Sequence, residues 1–289
     1  MDGLLLIDKP AGPTSHDVVA AVRRALGERR VGHAGTLDPG ATGLLVVLAG
    51  RATRLARFAG PLPKRYRGTI RLGWETETDD AAGAPLERDD GWRGRSRAEI
   101  EAALARVAAS PTQVPPRVSA KKVAGERAYR RVRRGEAPAL AAVPVAIHAI
   151  AVEAFDPEAG EVVVDVRCGG GTYVRAIARD AGRELGSRAH LAALRRLAVG
   201  PWTVEQALPL ADVAHAASAL RPAAEAVAHL PALAVEPAEA EALAHGRKIE
   251  GADPRGPRAG PVAVFDHGAL LAVVEWREGR YAPLVVLEP

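Results

Sequence analysis

Two hydrophobic periods alternate along the chain, and together they predict a fold that mixes strands with helices. Apolar runs or every-second-residue apolar positions, typical of strands, occupy residues 3–8, 44–48, 67–74 and 161–168. Apolar positions three and four residues apart, typical of amphipathic helices, occupy residues 14–26, 97–109 and 173–185. Thr14 or Ser15 can cap the first of these helices. The pattern therefore predicts the α/β class.

Three segments lack either period and are predicted to be loops. Residues 32–43 are rich in glycine, and residues 76–94 are rich in Asp and Gly, as expected of a long surface loop. Residues 111–138 are flanked by proline, basic and nearly without apolar period. Such a stretch inside a folded domain is typical of a surface insertion that becomes ordered on a partner.

The composition changes near residues 207–230, where an Ala-rich segment with the character of a helix gives way to Leu230-Pro231. Short apolar runs at residues 262–265, 270–276 and 284–287 follow, joined by Gly and Pro turns. This pattern predicts a small β-barrel or sandwich appended to the main domain. We therefore divide the chain into residues 1–229 and 230–289.

Composition and charge favour an anionic partner and disfavour a membrane. The 289 residues carry 39 Lys and Arg against 35 Asp and Glu, a net charge of +4, and the pI is about 9.5. Most of the cations are Arg, which suits bidentate phosphate contacts, although a GC-rich genome produces the same bias. Cys168 is the one cysteine, which excludes an intramolecular disulfide and a cysteine-based zinc site. No apolar run is long enough to span a bilayer, so we expect a cytoplasmic protein.

The glycine-rich loop contains the first candidate for chemistry, Asp38. Pro39 disfavours helical geometry at Asp38, and the surrounding glycines allow the backbone to approach a ligand closely. A carboxylate in such a loop can be a nucleophile, a general base or a metal ligand. The alternative is an ordinary Asp-Pro-Gly turn without chemistry.

Other candidates also have plain structural alternatives. Tyr66 lies in a basic run, Lys64-Arg65-Tyr66-Arg67, and its ring suits stacking on a base with phosphates alongside. It can equally be a cross-strand aromatic residue. Arg175 can pair with a carboxylate or lie on the surface at a helix start. His33 can be a loop histidine with a local hydrogen bond, and Leu194 a core residue.

Several motifs in this chain resemble those of the TruB family of tRNA pseudouridine synthases, which act on the T-loop uridine. The catalytic segment of that family is similar to GHAGTLDPGATGLL, which includes Asp38. Further similar segments occur in the family's order and extend the likeness over essentially the whole chain: LLIDKPAGPTSHDVV, KRYRGTIRLG, TETDDAAG, PTQVPPRVSAKKVAGERAY, GGGTYVRAIARDAG and HLAALRR.

The resemblance implies a role for each candidate. Asp38 attacks the uracil or its ribose, so that the base detaches, rotates and rejoins through carbon, and Arg175 keeps Asp38 ionised by lowering its pKa. Tyr66 stacks on the flipped-out uracil and assists removal of the C5 proton. Tyr173 and Leu194 line the uracil pocket. His33 contacts the RNA near the target and helps to hold the base out of the stack.

The resemblance also implies how RNA is bound. The basic run at 121–134 carries seven cations against one carboxylate. Such a run is ordinarily a solvated face, but in the family it forms a flap that closes over the T-loop. The phosphate-binding candidates in it are Lys122, Arg127, Arg130 and Arg131. The tail from 230 resembles the PUA domain, a small RNA-binding β-barrel.

The function implied is isomerisation of uridine 55 in the T-loop of tRNA to pseudouridine. The resemblance implies a central, mostly antiparallel mixed sheet flanked by helices, with no cofactor, metal or protein partner, and we expect a monomer that binds the T-arm of tRNA. Two alternatives remain: a tRNA-folding chaperone, and the catalytic subunit of a guide-RNA-dependent particle. The relatives that use guide RNA lack a basic flap, so the insertion at 111–138 favours a stand-alone enzyme.

Overall fold

The structure is a computed structural model that describes residues 1–119, 122–123, 126–127, 134, 140–250 and 259–287, with backbone alone at 122–123 and 126–127. The described ranges contain five α-helices: α1 (Ser15–Leu26), α2 (Ala56–Ala59), α3 (Arg97–Ala109), α4 (Val174–Glu184) and α5 (Pro237–Ala244). Short 3₁₀ segments occupy Gly50–Leu55, Val204–Gln206, Leu210–His215 and Ala223–Val227. No described helix is long and apolar enough to cross a membrane.

Twenty strands are assigned in the described part of the chain, several of them only two residues long. They are β1 (Gly3–Lys9), β2 (Val31–His33), β3 (Thr42–Ala49), β4 (Lys64–Leu72), β5 (Trp74–Thr76), β6 (Pro85–Arg88), β7 (Thr112–Gln113), β8 (Lys122–Val123), β9 (Glu126–Arg127), β10 (Val143–Pro144), β11 (Ile147–Asp156), β12 (Glu161–Cys168), β13 (Ala189–Val199), β14 (Trp202–Thr203), β15 (Leu208–Pro209), β16 (Ala232–Ala234), β17 (Ile249–Glu250), β18 (Pro261–Asp266), β19 (Ala269–Arg277) and β20 (Arg280–Val286).

The central sheet has nine strands and is mostly antiparallel, as expected. Its order is β11-β12-β4-β13-β3-β1-β15, with β14 paired to β13 and β2 paired to β3. Only the β13–β3 and β1–β15 pairs are parallel. This mixed sheet with helices confirms the predicted fold class.

The half of the sheet around β1 and β3 is covered on both faces. Leu5, Ile7 and Val47 on one face pack against α1. Leu4 and Leu6, with residues of β3, pack on the other face against α2 and the C-terminal strands. Because neither face meets water, these strands are apolar at nearly every position rather than alternating.

The other half of the sheet, β11, β12 and β4, has one apolar face. Ile70, Val162 and Val164 of this face pack against α3 and α4. On β4 the intervening side chains are exposed or half-buried, and Arg67 forms an ion pair with Glu153 at 2.7 Å. This arrangement explains the every-second-residue pattern seen in the sequence.

The C-terminal strands form a separate five-stranded sheet in the order β16-β18-β19-β20-β17, packed with α5 around Leu243 and Tyr281. Its other side, including Val273 and Val285, belongs to the same apolar cluster as Leu4 and Leu44 of the central sheet. The small β unit is thus present as expected, while the boundary between residues 229 and 230 stays a prediction.

Two predictions of local structure are wrong. Residues 76–94 contain strand β6, which forms a hairpin with β5 through the pairs Trp74–Arg88 and Thr76–Pro85. Residues 207–230 contain 3₁₀ segments and no α-helix. The backbone there is engaged by β1 instead: β15 pairs with it, and the amide of Arg221 donates to the Leu4 carbonyl at 2.9 Å.

Gly43 controls the contact between β3 and β13, which brings the glycine-rich loop to the centre of the sheet. Its φ is +100°, and a β-carbon there would lie 2.7 Å from the backbone nitrogen of Arg196. A side chain at this position would therefore strain the backbone and separate the two strands.

We expect Gly43→Ala to destabilise the protein by roughly 1–3 kcal/mol, measured as the free energy of unfolding in urea. The matched control is Gly40→Ala in the same loop, where a β-carbon would meet nothing within 4 Å. It should change stability by less than about 0.5 kcal/mol. Equal losses in the two variants would contradict this account.

Candidate active site

Asp38 lies in the loop that joins β2 to β3, at the centre of the main sheet. Its Oδ2 is 3.0 Å from Nε of Arg175, which is on the first turn of α4. The Arg175 side chain is only 7% exposed, whereas that of Asp38 is 42% exposed. A buried guanidinium therefore faces a carboxylate that opens into a cleft, which excludes the reading of Arg175 as a surface arginine.

Arg175 is itself fixed from three directions. Nη1 donates to the Thr78 carbonyl at 2.8 Å and Nη2 to the Val118 carbonyl at 3.0 Å. Nη1 also lies 3.4 Å from Oδ2 of Asp80. A planar guanidinium bonded in this way has little rotational freedom, so the direction of its Nε–H toward Asp38 is set in advance.

The loop around Asp38 is held by distant residues. Ser15 Oγ both donates to the Leu37 carbonyl and accepts from the Leu37 amide, at 2.9 Å each. Lys9 Nζ donates to the carbonyls of Pro39 at 3.1 Å and Ala41 at 2.7 Å. These bonds fix the peptides on both sides of Asp38, so side chains from β1 and α1 hold the turn in place.

Arg196 holds the beginning of the same loop. Its guanidinium donates to the carbonyls of Gly35 at 3.1 Å, Thr36 at 3.3 Å and Leu44 at 2.7 Å. Its backbone lies on β13 beside Gly43, in the parallel pair with β3. One arginine therefore ties the loop to the middle of the sheet.

The pKa of Asp38 is raised above its ordinary value. Burial is the largest cause; the nearby charge of Asp80 also raises the pKa, while Arg175 and Lys9 lower it. Arg175 lowers the pKa of Asp38, as expected, but burial raises it by more, so the net pKa lies above the ordinary value. The guanidinium does favour the ionised form, but less than loss of water disfavours it.

A cavity of about 250 Å³ opens beside Asp38. Tyr66 of β4 is buried in its wall, and burial raises the pKa of its hydroxyl, which makes it a neutral phenol. The predicted pocket residues Tyr173 and Leu194 are also in the wall. The remaining lining residues are Gly35, Thr36, Leu37, Gly60, Lys64, Gly171, Thr172, Val174, Arg175 and Arg196.

Other predicted site residues lie apart from this cavity. His33 is on β2, with its ring edge-on to His16 at a centroid distance of 5.7 Å, and is not in the cavity wall. The backbones of Lys122 and Arg127 pair in the β8–β9 hairpin, but their side chains lie outside the described part. Arg130 and Arg131 lie outside it altogether.

Sequence reasoning named the segments that contain Lys9, Ser15, Asp80 and Arg196 but gave these residues no role at the site. Ser15 was named only as a possible helix cap, and the cap of α1 is Thr14. A charged residue within an apolar strand, as at Lys9 and Arg196, is the signal that could have identified two of them. Among the residues described, no three His, Cys, Asp or Glu side chains are grouped so as to hold a metal ion.

Comparisons with known proteins identify the class and then the family. Two solved structures share the pseudouridine synthase fold: a Cbf5-Nop10-Gar1 complex (TM-score 0.74, 24% identity, 99% of this chain and 85% of that chain) and an H/ACA RNP bound to a substrate RNA containing 2′-deoxyuridine (TM-score 0.73, 22% identity, the same coverage). These likenesses define a pseudouridine synthase fold and no more.

The sequence comparisons are more specific. The model described as "TruB family pseudouridylate synthase (N terminal domain)" matches residues 23–174. Models for "tRNA pseudouridylate synthase B C-terminal domain" and "tRNA Pseudouridine synthase II, C terminal" match residues 175–240 and 230–288.

Full-length relatives agree with the family models. Proteins named tRNA pseudouridine synthase B from Thermobifida fusca and Leifsonia xyli are 48% and 47% identical to this chain. Each match covers 99% of this chain and 98% or 96% of the relative, respectively. The chain belongs to the TruB family of pseudouridylate synthases, which are isomerases.

Asp80 offers a test of the charge balance at Asp38. Its negative charge raises the pKa of Asp38, so removing that charge should lower this pKa. We expect Asp80→Asn to move the acid limb of the rate of pseudouridine formation to lower pH. The maximal rate should also fall, because Arg175 loses an anchor. The measurement is the single-turnover rate between pH 4 and 8, and an acid limb that stays in place or moves upward contradicts the assignment.

Proposed function

We propose that this protein isomerises uridine 55 in the T-loop of tRNA to pseudouridine, with Asp38 as the nucleophile on a flipped-out base. The observation that carries the proposal is the Asp38–Arg175 pair at 3.0 Å beside the cavity lined by Tyr66. A fixed, ionisable carboxylate next to a cavity of about 250 Å³ suits attack on a single enclosed base. The relatives' names support tRNA as the substrate.

In the proposed reaction Asp38, Tyr66 and Arg175 have different roles. An Asp38 oxygen attacks the uracil ring or its ribose, and the N1–C1′ bond breaks with its electron pair passing to the base. The base turns within the cavity and C5 bonds to C1′. The bond that Asp38 made to the ribose or the ring breaks and returns the free carboxylate. One proton leaves C5 and one is gained at N1. Tyr66 holds the ring by stacking and assists removal of the C5 proton. Arg175 keeps the carboxylate oriented and favours its ionised form.

RNA binding is assigned to two further regions in this proposal. The basic insertion at 111–138, with Lys122, Arg127, Arg130 and Arg131, holds phosphates of the T-arm. Residues 230–289 form a PUA-like module that contacts the RNA elsewhere. His33 contacts the RNA next to the target base. Because tRNA is processed in the cytoplasm, the proposal locates a monomeric enzyme there.

Asp38→Asn tests the nucleophile. The amide is nearly isosteric with the carboxylate but cannot attack, so pseudouridine formation in tRNA should fall below detection while tRNA binding changes little. Product mapping by position and filter-binding affinity are the two measurements. Normal pseudouridine formation would exclude Asp38 as the nucleophile. Loss of both activities would show a binding or folding defect instead. If the main role is folding tRNA, the variant should still refold tRNA as the wild type does.

Dependence on a guide RNA is tested with the purified full-length chain and bare tRNA transcript. We expect modification at position 55 without any other RNA or protein, and none in a transcript with U55 changed to C. Activity that requires an added guide RNA would favour the catalytic subunit of a guided particle.

A further inference from the structure

Two buried cations lie in the wall of the active-site cavity without a carboxylate partner among the residues that the structure describes. Lys64 is 7% exposed and Arg196 is 1% exposed, and both line the cavity that Tyr66 and Asp38 also line. Within the described ranges neither forms an ion pair. By contrast, Arg65, the neighbour of Lys64 on β4, forms an ion pair with Asp165 at 2.7 Å.

Both cations are held by uncharged groups: backbone carbonyls for each and, for Arg196, also the neutral side chain of Tyr66. Lys64 Nζ donates to the carbonyls of Gly60 at 2.5 Å and Leu62 at 2.6 Å, and Arg196 donates to the three carbonyls described above. The two cations flank one residue of the catalytic loop. A β-carbon on Gly35 would lie 3.7 Å from Nη1 of Arg196 and 4.0 Å from Cε of Lys64. The positive charge is therefore concentrated on one side of the cavity.

Carbonyl dipoles solvate these cations but do not neutralise them. Burial and the neighbouring charge of Arg196 lower the pKa of Lys64 to about 8, so their proximity has a free-energy cost. Keeping two like charges at a buried wall is unfavourable unless an anion joins them at some stage.

The other titratable groups that face Lys64 do not supply that anion. Tyr66 and Cys168 are neutral at pH 7, because burial raises the pKa of each, that of Cys168 to about 11. Asp38 is paired with Arg175. A compensating negative charge can therefore come from the substrate or develop during the reaction.

We propose that the Lys64 ammonium and the Arg196 guanidinium stabilise the negative charge that the uracil ring carries after its glycosidic bond has broken. This inference rests on the proposed function. When the N1–C1′ pair of electrons passes to the base, the charge spreads over N1, O2 and O4. It is discharged when C5 bonds to C1′, the C5 proton leaves and N1 gains a proton. A fixed positive wall lowers the energy of this detached base without reorganising.

Substitutions at Lys64 separate this role from holding the loop. Lys64→Gln removes the charge but keeps N–H donors for the Gly60 and Leu62 carbonyls. Lys64→Arg keeps both the charge and the donors. The rate is measured in single turnover on bare tRNA between pH 6 and 10. Thermal unfolding checks the fold, and filter binding checks tRNA affinity.

The expected pH dependence follows from the charge on Lys64. The ammonium is charged below its pKa of about 8 and loses its charge as the pH rises through that value. The wild-type rate should therefore fall above about pH 8. Lys64→Arg should retain most of the rate at pH 7 and lack this alkaline limb. Lys64→Gln should be slower by about 10²-fold at pH 7, with unchanged tRNA affinity and no limb near pH 8.

Lys9→Gln is the matched control, because Lys9 is also buried and held by carbonyls but is not in the cavity wall. It should lower the rate and keep the alkaline limb near pH 8. A wild-type rate and limb in Lys64→Gln, a limb near pH 8 in Lys64→Arg, or no limb in the wild type would each overturn the inference. If wild-type protein forms no pseudouridine in tRNA, the proposed function fails instead.

Discussion

The site depends on one ion pair, in which the Asp38 carboxylate contacts the buried guanidinium of Arg175. Removing Arg175 from water is costly, and this cost is offset by hydrogen bonds from its terminal nitrogens to Thr78 and Val118 and by two carboxylates, Asp38 and Asp80. The pairing needs α4, the 76–82 turn and the glycine-rich loop to meet at one point. The strand order of the central sheet brings these three segments together.

The pKa of Asp38 shows why a close cation does not by itself make a strongly acidic group. Burial disfavours the charged carboxylate, and the negative charge of Asp80, which contacts the same guanidinium, raises the pKa of Asp38 further. Under the proposed function, the raised pKa would make the ionised Asp38 a stronger nucleophile than an aspartate whose charge is fully compensated. Asp80 both contacts Arg175 and opposes the lowering of the Asp38 pKa by Arg175.

The sequence pattern predicted elements with clear local signals well, and it predicted contacts between distant parts of the chain poorly. Helix α3 and strand β12 have the predicted bounds, because Ser96 caps the helix and the strand alternates cleanly. Strands β11 and β13 were not predicted, and both contain register shifts that interrupt alternation. Asp38, Arg175, Tyr66, Tyr173 and Leu194 were identified by resemblance and do converge. The roles of Ser15 and Arg196 could not be predicted, since each depends on carbonyls distant along the chain.

The arginine-rich composition has different causes at the surface and at the buried positions of the site. On the surface, arginines form exposed pairs such as Arg280–Glu250, which contribute little and would tolerate lysine. At Arg196, one planar side chain donates to three carbonyls from different parts of the loop, and at Arg175 it serves two carbonyls and two carboxylates. A lysine ammonium is a single point and cannot reach such separated acceptors. A genomic bias toward arginine can account for the surface, but the geometry of the site itself requires arginine at these two positions.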